Sequence, residues 1–64
     1  MTVSTRQRRE SILAEAYRLK HVTVKGLSER FDVSQATVRR DLKSLADEGY
    51  VELEYGGACV SRNA

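Results

Sequence analysis

The segment VSQATVRRDLKSL, residues 33–45, carries the side chains of this chain that are best suited to binding chemistry. Arg39 and Arg40 are adjacent, and Lys43 follows within one helical turn. Guanidinium and ammonium groups carry positive charge and donate hydrogen bonds, so they suit phosphates and the acceptor edges of nucleic-acid bases. Gln35 adds an amide that can both donate and accept. The segment therefore indicates a basic binding surface.

The same segment has the apolar spacing of a helix that buries one face. At about 100° per residue, its aliphatic side chains cluster on one side and its longest basic side chains on the other. Asp41 falls nearer the aliphatic side, where we expect it to pair with a basic residue of the first predicted helix. Thr37, Arg39 and Ser44 flank the basic side. The aliphatic side holds Val38, Leu42 and Leu45, and the basic side holds Ala36, Arg40 and Lys43.

A helix with these two faces fits the major groove of B-form DNA, and small or polar residues at its N-terminal end let its backbone approach the bases. Gln35 can pair with adenine and Arg40 with guanine or a phosphate, whereas Arg39 and Lys43 favour phosphates. A solvated surface pair is the alternative interpretation of the two arginines, and for the arginines near the N-terminus phosphate contact and simple solubility are equally good. The candidate DNA-contact residues are Ser34, Gln35, Ala36, Thr37, Arg39, Arg40 and Lys43, together with Arg6, Arg8 and Arg9.

Length and composition limit the other function classes. The chain has 64 residues, of which 41% are hydrophobic and 31% charged, which suits one small folded domain over residues 1–64. So short a chain has no room for a deep substrate cleft that could hold an acid and a base, and we do not expect an enzyme. The net charge is only +2, and the basic excess lies in residues 1–20.

Metal, disulfide and membrane sites find no support in the sequence. Cys59 is the only cysteine and His21 the only histidine, so we expect no disulfide, no metal and no cofactor. No apolar run has the length of a membrane span or of a signal-peptide core. We therefore expect a cytoplasmic domain with no membrane partner.

Capping residues predict where the first helix begins. Ser4 and Gln7 have the spacing of a capping box, and the helix that follows is predicted to run to about Lys20. Residues 21–24 are predicted to be a short extended piece. The predicted buried side of the first helix consists of Ile12, Leu13, Ala16 and Leu19.

Two further helices are predicted on either side of a tight turn. Thr23 can cap a short second helix that buries Leu27 and Phe31, and Asp32 can end it in the left-handed conformation. Ser34 can cap a third helix over residues 35–48, with Gly49 just past its end.

The spacing changes from helical to alternating after Gly49. Val51, Leu53 and Tyr55 are predicted to form the covered face of a strand, and the pair Gly56–Gly57 to form the turn into a second strand over residues 58–60. Three helices followed by a two-stranded hairpin predict a mainly α fold, the winged helix-turn-helix, in which the hairpin is the wing.

Residues 21–58 resemble the DNA-binding domain of DeoR-type bacterial transcriptional repressors. The family pattern V-S-x-x-T-[IV]-R-R-D-L is matched by residues 33–42, L-x-x-x-G by Leu45 and Gly49, and the wing motif G-G-A by residues 56–58. The resemblance implies double-stranded operator DNA as the partner and repression of a sugar or related catabolic operon in the bacterial nucleoid. It also implies a separate C-terminal domain that senses a phosphorylated sugar and joins copies into a homo-oligomer, with the isolated domain a monomer.

The sequence departs from this family mainly in the wing. Members usually carry an arginine where this chain has Leu53 and a histidine where it has Tyr55, and Glu52 and Glu54 make the wing acidic. A phosphate contact by the wing is therefore in doubt. Gly26 and Asp32 also replace commoner residues of the second helix and its turn, which predicts a less stable second helix.

A protein-interaction module built on the same fold is the alternative, and the acidic wing is the feature that favours it. An RNA-binding winged helix is a weaker alternative, because the deep major groove of A-form RNA does not admit a helix.

Overall fold

The computed structural model describes residues 4–61 and shows a mainly helical fold with a small antiparallel sheet. The predicted fold class is confirmed: three helices precede the hairpin formed by β2 and β3. The outer ends of the predicted domain, residues 1–3 and 62–64, lie outside the described residues. The elements are α1 (Thr5–Leu19), β1 (His21–Thr23), α2 (Val24–Phe31), α3 (Gln35–Asp47), β2 (Val51–Glu54) and β3 (Gly57–Val60).

Each helix begins at the hydroxyl residue that the sequence predicts. The backbone N–H of Gln7 donates to Ser4 Oγ at 3.1 Å, and the Gln7 side chain accepts from the backbone N–H of Ser4, which completes the capping box. The N–H of Gly26 donates to Thr23 Oγ1 at 3.0 Å, at the start of α2. The remaining cap, Ser34, opens α3. Local side-chain chemistry therefore sets all three helix starts.

The helix ends differ slightly from prediction. Asp32 has a φ of 55° and ends α2 in the left-handed conformation, as predicted. The first helix stops at Leu19 because Lys20, predicted to be its last residue, takes a φ of 70°. The third helix ends at Asp47, one residue before the predicted end, and Gly49 follows with a φ of 86°.

The strand β1 is the main addition to the predicted fold. Its residues, expected only to be extended, pair antiparallel with β3, which gives a three-stranded sheet in the order β1-β3-β2. Val22 lies opposite Ala58, and Leu53 lies opposite Ala58 on the other edge of β3. The wing is therefore anchored by its inner strand to the segment between α1 and α2.

The turn of the hairpin lies one residue earlier than predicted. Tyr55 and Gly56 form it, and Gly56 has a φ of 75°. Gly57, predicted to be in the turn, opens β3, where an added Cβ would lie 2.1 Å from the carbonyl oxygen of Val22. The two glycines thus serve different needs: Gly56 provides the backbone conformation, and Gly57 provides the close approach of two strands.

Two residues predicted to be covered in the wing are exposed. Val51 is buried, but Leu53 is 55% exposed and Tyr55 is fully exposed. Ala58 of the inner strand β3 is buried and the turn residue Gly56 is bonded to the start of α2, whereas the outer strand β2 is covered only at Val51. Leu19, predicted to be buried on α1, is 52% exposed. The buried core consists of Ile12, Ala16, Val22, Val24, Leu27, Val38, Leu42, Leu45, Val51 and Ala58.

Asp41 joins α1 to α3 through two arginines, which confirms the predicted pairing with the first helix. The Asp41 side chain is only 1% exposed, and Arg8 reaches it with Nε and with Nη2, the latter at 3.1 Å. Arg9 Nε donates to the same carboxylate at 2.9 Å and Arg9 Nη1 to Ser44 Oγ at 3.1 Å. We call Arg8, Arg9, Asp41 and Ser44 the α1–α3 clamp.

The charge of Asp41 is maintained despite its burial. Burial alone raises the pKa of this carboxyl, but the hydrogen bonds and charges of Arg8 and Arg9 outweigh burial and hold the pKa below its usual value. The carboxylate in turn raises the pKa of Arg8. The clamp therefore centres on a buried carboxylate that accepts hydrogen bonds from two less deeply buried arginines.

A second carboxylate joins α1 to α2. Arg18 donates to Glu15 at 2.6 Å, and Arg30 of α2 lies 3.2 Å from the same carboxylate. The hydrogen bonds from Arg18 are the largest cause that lowers the pKa of Glu15. Each neighbouring helix is thus tied to α1 by a carboxylate and at least one arginine.

Replacing Leu42 by alanine should destabilise the fold by about 2–5 kcal/mol, because Leu42 is 1% exposed and its removal leaves a cavity in the core. Urea denaturation followed by circular dichroism measures the change. The matched control is Leu19→Ala, at an exposed leucine, which should stay within about 0.5 kcal/mol of the parent. Equal stabilities of the two variants would show that α3 does not pack through Leu42.

Acid should unfold the protein partly through Asp41. Because its pKa is lower in the folded chain than in the unfolded chain, its contribution is complete above the unfolded value of about 3.9 and is lost as the pH falls below it. Asp41→Asn should lower the free energy of unfolding by about 3 kcal/mol near neutral pH. This is the lower end of the range for breaking a buried ion pair, because Arg9 can turn to solvent. Urea denaturation between pH 7 and pH 2 should then show that the free energy of unfolding falls less in this variant than in the parent. Glu15 supplies part of the remaining acid loss.

The control for this experiment is Asp47→Asn, which removes an exposed carboxylate from the same helix. It should keep both the stability near neutral pH and the full acid dependence. If Asp41→Asn behaves like Asp47→Asn, the clamp does not stabilise the fold.

Candidate nucleic-acid interface

The two faces of α3 lie where the sequence predicts them. The side that holds Val38, Leu42 and Leu45 is buried against the other elements, together with Asp41. The opposite side is exposed along the helix. It presents Gln35, Ala36, Arg39, Arg40 and Lys43.

The basic surface occupies the first part of α3 and stops before its C-terminal end. Arg40 and Lys43 are followed on the same side of the helix by Asp47, which is also exposed. A cation and an anion at this spacing partly cancel, so the positive potential is concentrated toward the N-terminal half. A helix that reads DNA from its N-terminal residues has this polarity.

The N-terminal end of α3 is closed by its own cap. Ser34 Oγ accepts the backbone N–H of Thr37 at 3.1 Å and lies 2.9 Å from Thr37 Oγ1. The two hydroxyls therefore satisfy each other as well as the backbone. Gln35 and Ala36, which lie between them, are exposed. A DNA contact by Ser34 or Thr37 stays a prediction, and either residue would have to share its hydroxyl with the cap.

The three N-terminal arginines differ sharply in their surroundings. Arg6 has a side chain that is 90% exposed and lies 3.4 Å from Glu10. Arg8 is 11% exposed and Arg9 35% exposed, and both hold Asp41. The sequence grouped the three as candidate phosphate contacts. The structure separates them into one solvated residue and two members of the α1–α3 clamp, and their contact with DNA stays a prediction.

A groove of about 600 Å³ lies between α3 and the wing. The exposed side chains of Arg39 and Lys43 line it on the helix side, and Leu53 and Tyr55 line it on the wing side. We call it the α3–wing groove. The sequence did not predict it, because the alternation of residues 51–55 is typical of a covered strand and contains no signal that Leu53 and Tyr55 are exposed.

Two other grooves lie among the described residues, one beside Glu15 and Leu27 and one beside Arg9 and Tyr50. Within residues 4–61, no group of three or more histidine, cysteine, aspartate or glutamate side chains is arranged to hold a metal ion. None of the helices in this part of the chain is long and apolar enough to cross a membrane.

Comparisons with known proteins agree with this geometry. Residues 8–63 match the family described as the DeoR-like helix-turn-helix domain. The HTH-type transcriptional regulator GlpR of Haloferax volcanii is 47% identical over 36 residues, which cover 56% of this chain and 14% of that protein. The chain thus spans a small part of the length of this relative, and no solved structure gave a significant match. Because the family match covers most of the sequence, the chain belongs to the DeoR-like helix-turn-helix domain family.

Proposed function

We propose that this chain is a sequence-specific double-stranded DNA-binding domain of a transcriptional regulator. The observation that carries the proposal is the exposed, basic face of α3 opposite its buried aliphatic face. A helix with donors at this spacing fits a major groove. Its backbone can approach the bases at its N-terminal end, where Ala36 is small and Gln35 is polar. The family membership and the name of the relative, a transcriptional regulator, support the same function.

The residues of α3 divide between base recognition and phosphate binding. Arg40 lies in the middle of the exposed face, where a forked donor can reach the acceptor pair of guanine, and Gln35 can pair with adenine. Arg39 and Lys43 lie on the side toward the wing and bind phosphates. The α1–α3 clamp sets the rotation of α3 that presents these groups.

We further propose which regulatory role this DNA binding serves. Repression of a sugar or related catabolic operon in the cytoplasm, with a phosphorylated sugar as effector, rests on the family resemblance. Because one small module makes few contacts, tight binding requires two copies on a repeated or inverted operator site, joined outside this domain into a homo-oligomer. The isolated domain is then a monomer that binds DNA weakly.

Salt dependence is the direct test of the proposed function. Fluorescence anisotropy at several salt concentrations measures the association constant for a fluorescein-labelled duplex of mixed sequence. The logarithm of this constant should fall linearly with the logarithm of the salt concentration. Two phosphate contacts give a slope of about −1.8 and three give about −2.7. Absence of binding at the lowest salt concentration would reject DNA binding and favour the protein-interaction alternative.

Arg40→Ala and Lys43→Ala should weaken DNA binding in different ways. Arg40→Ala should lower the binding free energy by about 1–3 kcal/mol on a duplex that the parent selects from a random pool. It should also reduce the parent's preference for that duplex over mixed-sequence DNA. Lys43→Ala should weaken binding to both duplexes about equally and reduce the salt slope by about 1. Both side chains are exposed, so both variants should melt at the parent temperature. If Arg40→Ala weakened binding to the two duplexes equally, as Lys43→Ala is expected to do, the division between base and phosphate contacts would be contradicted.

A further inference from the structure

The α3–wing groove has two walls of different chemistry. Arg39 and Lys43 form a cationic wall on α3. Leu53 and Tyr55 form an apolar wall, and Tyr55, at the tip of the hairpin, has its whole side chain in solvent. Val24, at the start of α2, lies at the floor with Leu42 and contributes further apolar surface. A ligand that fits must combine negative charge with an apolar flank.

The acidic side chains of the wing belong to the other side of the sheet. Successive strand residues point to opposite faces, so Glu52 and Glu54 project away from the face of Leu53. Glu52 lies opposite Cys59 in the sheet register. Glu54 borders the groove, but its carboxylate lies 3.3 Å from His21 Nδ1. The acidity that makes a wing contact doubtful from sequence is therefore directed away from the cationic wall.

The wing is held in place against the helices. The backbone N–H of Val24 donates to the carbonyl of Gly56 at 2.8 Å, which ties the hairpin turn to the start of α2. Gly57 packs so closely on Val22 that no side chain fits between the strands. The backbone of the wing is thus fixed against the helices, and a ligand has to order only the exposed side chains of Leu53 and Tyr55 on binding.

We propose that the α3–wing groove holds one sugar–phosphate strand of the bound duplex. Arg39 and Lys43 bind its phosphates, and Leu53 and the ring of Tyr55 pack on its deoxyribose rings. A DNA strand presents anionic and apolar groups side by side, which matches the two walls. This inference rests on the proposed function and adds to it a wing that contributes apolar contact and no charge.

The charge difference makes the proposal testable through salt dependence. Tyr55→Ala should weaken binding to the mixed-sequence duplex about fivefold to eightfold, the effect of losing roughly 40–50 Å² of apolar contact. Its salt slope should equal that of the parent, because no cation is removed. Lys43→Ala should lower the slope by about 1. Tyr55→Phe should bind within about twofold of the parent, because it keeps the ring that packs on the sugar.

The matched control is Tyr17→Ala, which removes a partly exposed tyrosine from α1, away from the groove. It should leave affinity unchanged. Thermal melting of each variant checks the fold, and full exposure of Tyr55 means that its replacement should not change stability.

Three results would overturn the proposal. Parent-like affinity of Tyr55→Ala, in a chain whose parent binds the duplex, would remove the wing from the interface and leave the proposed function intact. An equal loss in Tyr55→Phe and Tyr55→Ala would show that the hydroxyl, and not ring packing, makes the contact. Sedimentation that shows a parent dimer and a Tyr55→Ala monomer would assign the groove to a second copy of the chain. Failure of the parent to bind any duplex would instead reject the proposed function itself.

Discussion

The buried carboxylate of Asp41 is the interaction on which the presentation of α3 depends. At about 100° per residue, the helix rotation that buries Asp41 together with Val38 and Leu42 leaves Arg40 on the exposed side. Arg8 and Arg9 satisfy the Asp41 carboxylate from α1, and Ser44 receives a further bond from Arg9 one turn along. Apolar packing alone tolerates small rotations of a helix. A buried charge with fixed hydrogen-bond partners does not, because each lost bond leaves an unpaired group in the interior.

The clamp also explains why net charge describes this surface poorly. Residues 35–48 contain equal numbers of basic and acidic side chains, yet the structure directs Asp41 inward and leaves Arg39, Arg40 and Lys43 outside. Two further arginines are used within the fold to compensate Asp41. The positive potential of the exposed face is therefore produced by the geometry of the helix. Arg8 and Arg9, which belong to the basic N-terminal part of the chain, neutralise the buried carboxylate.

Much of the fold follows from the sequence because it is locally determined. The caps Ser4, Thr23 and Ser34 and the left-handed Asp32 act over three or four residues, and all were predictable. The faces of α3 were predictable too, since helical spacing alone separates them. The pairing of β1 with β3, and the use of Arg8 and Arg9 inside the fold, depend on residues more than thirty positions apart. The sequence predicted that the first helix pairs with Asp41, but nothing in the local pattern shows that Arg8 and Arg9 are the residues that do so.

The wing shows why alternation alone does not reveal a buried face. Val51 and Leu53 share one side of β2 and Tyr55 follows in the turn, but burial falls from nearly complete at Val51 to none at Tyr55. The same alternation separates the side chains that matter for binding: Leu53 and Tyr55 line the α3–wing groove, whereas Glu54, which borders the groove, directs its carboxylate to His21. Apolar side chains beside a cationic helix face gain free energy when a ligand that the cations bind also covers them. A wing of this composition can therefore add to DNA affinity through contact area, while the salt-dependent part remains with α3.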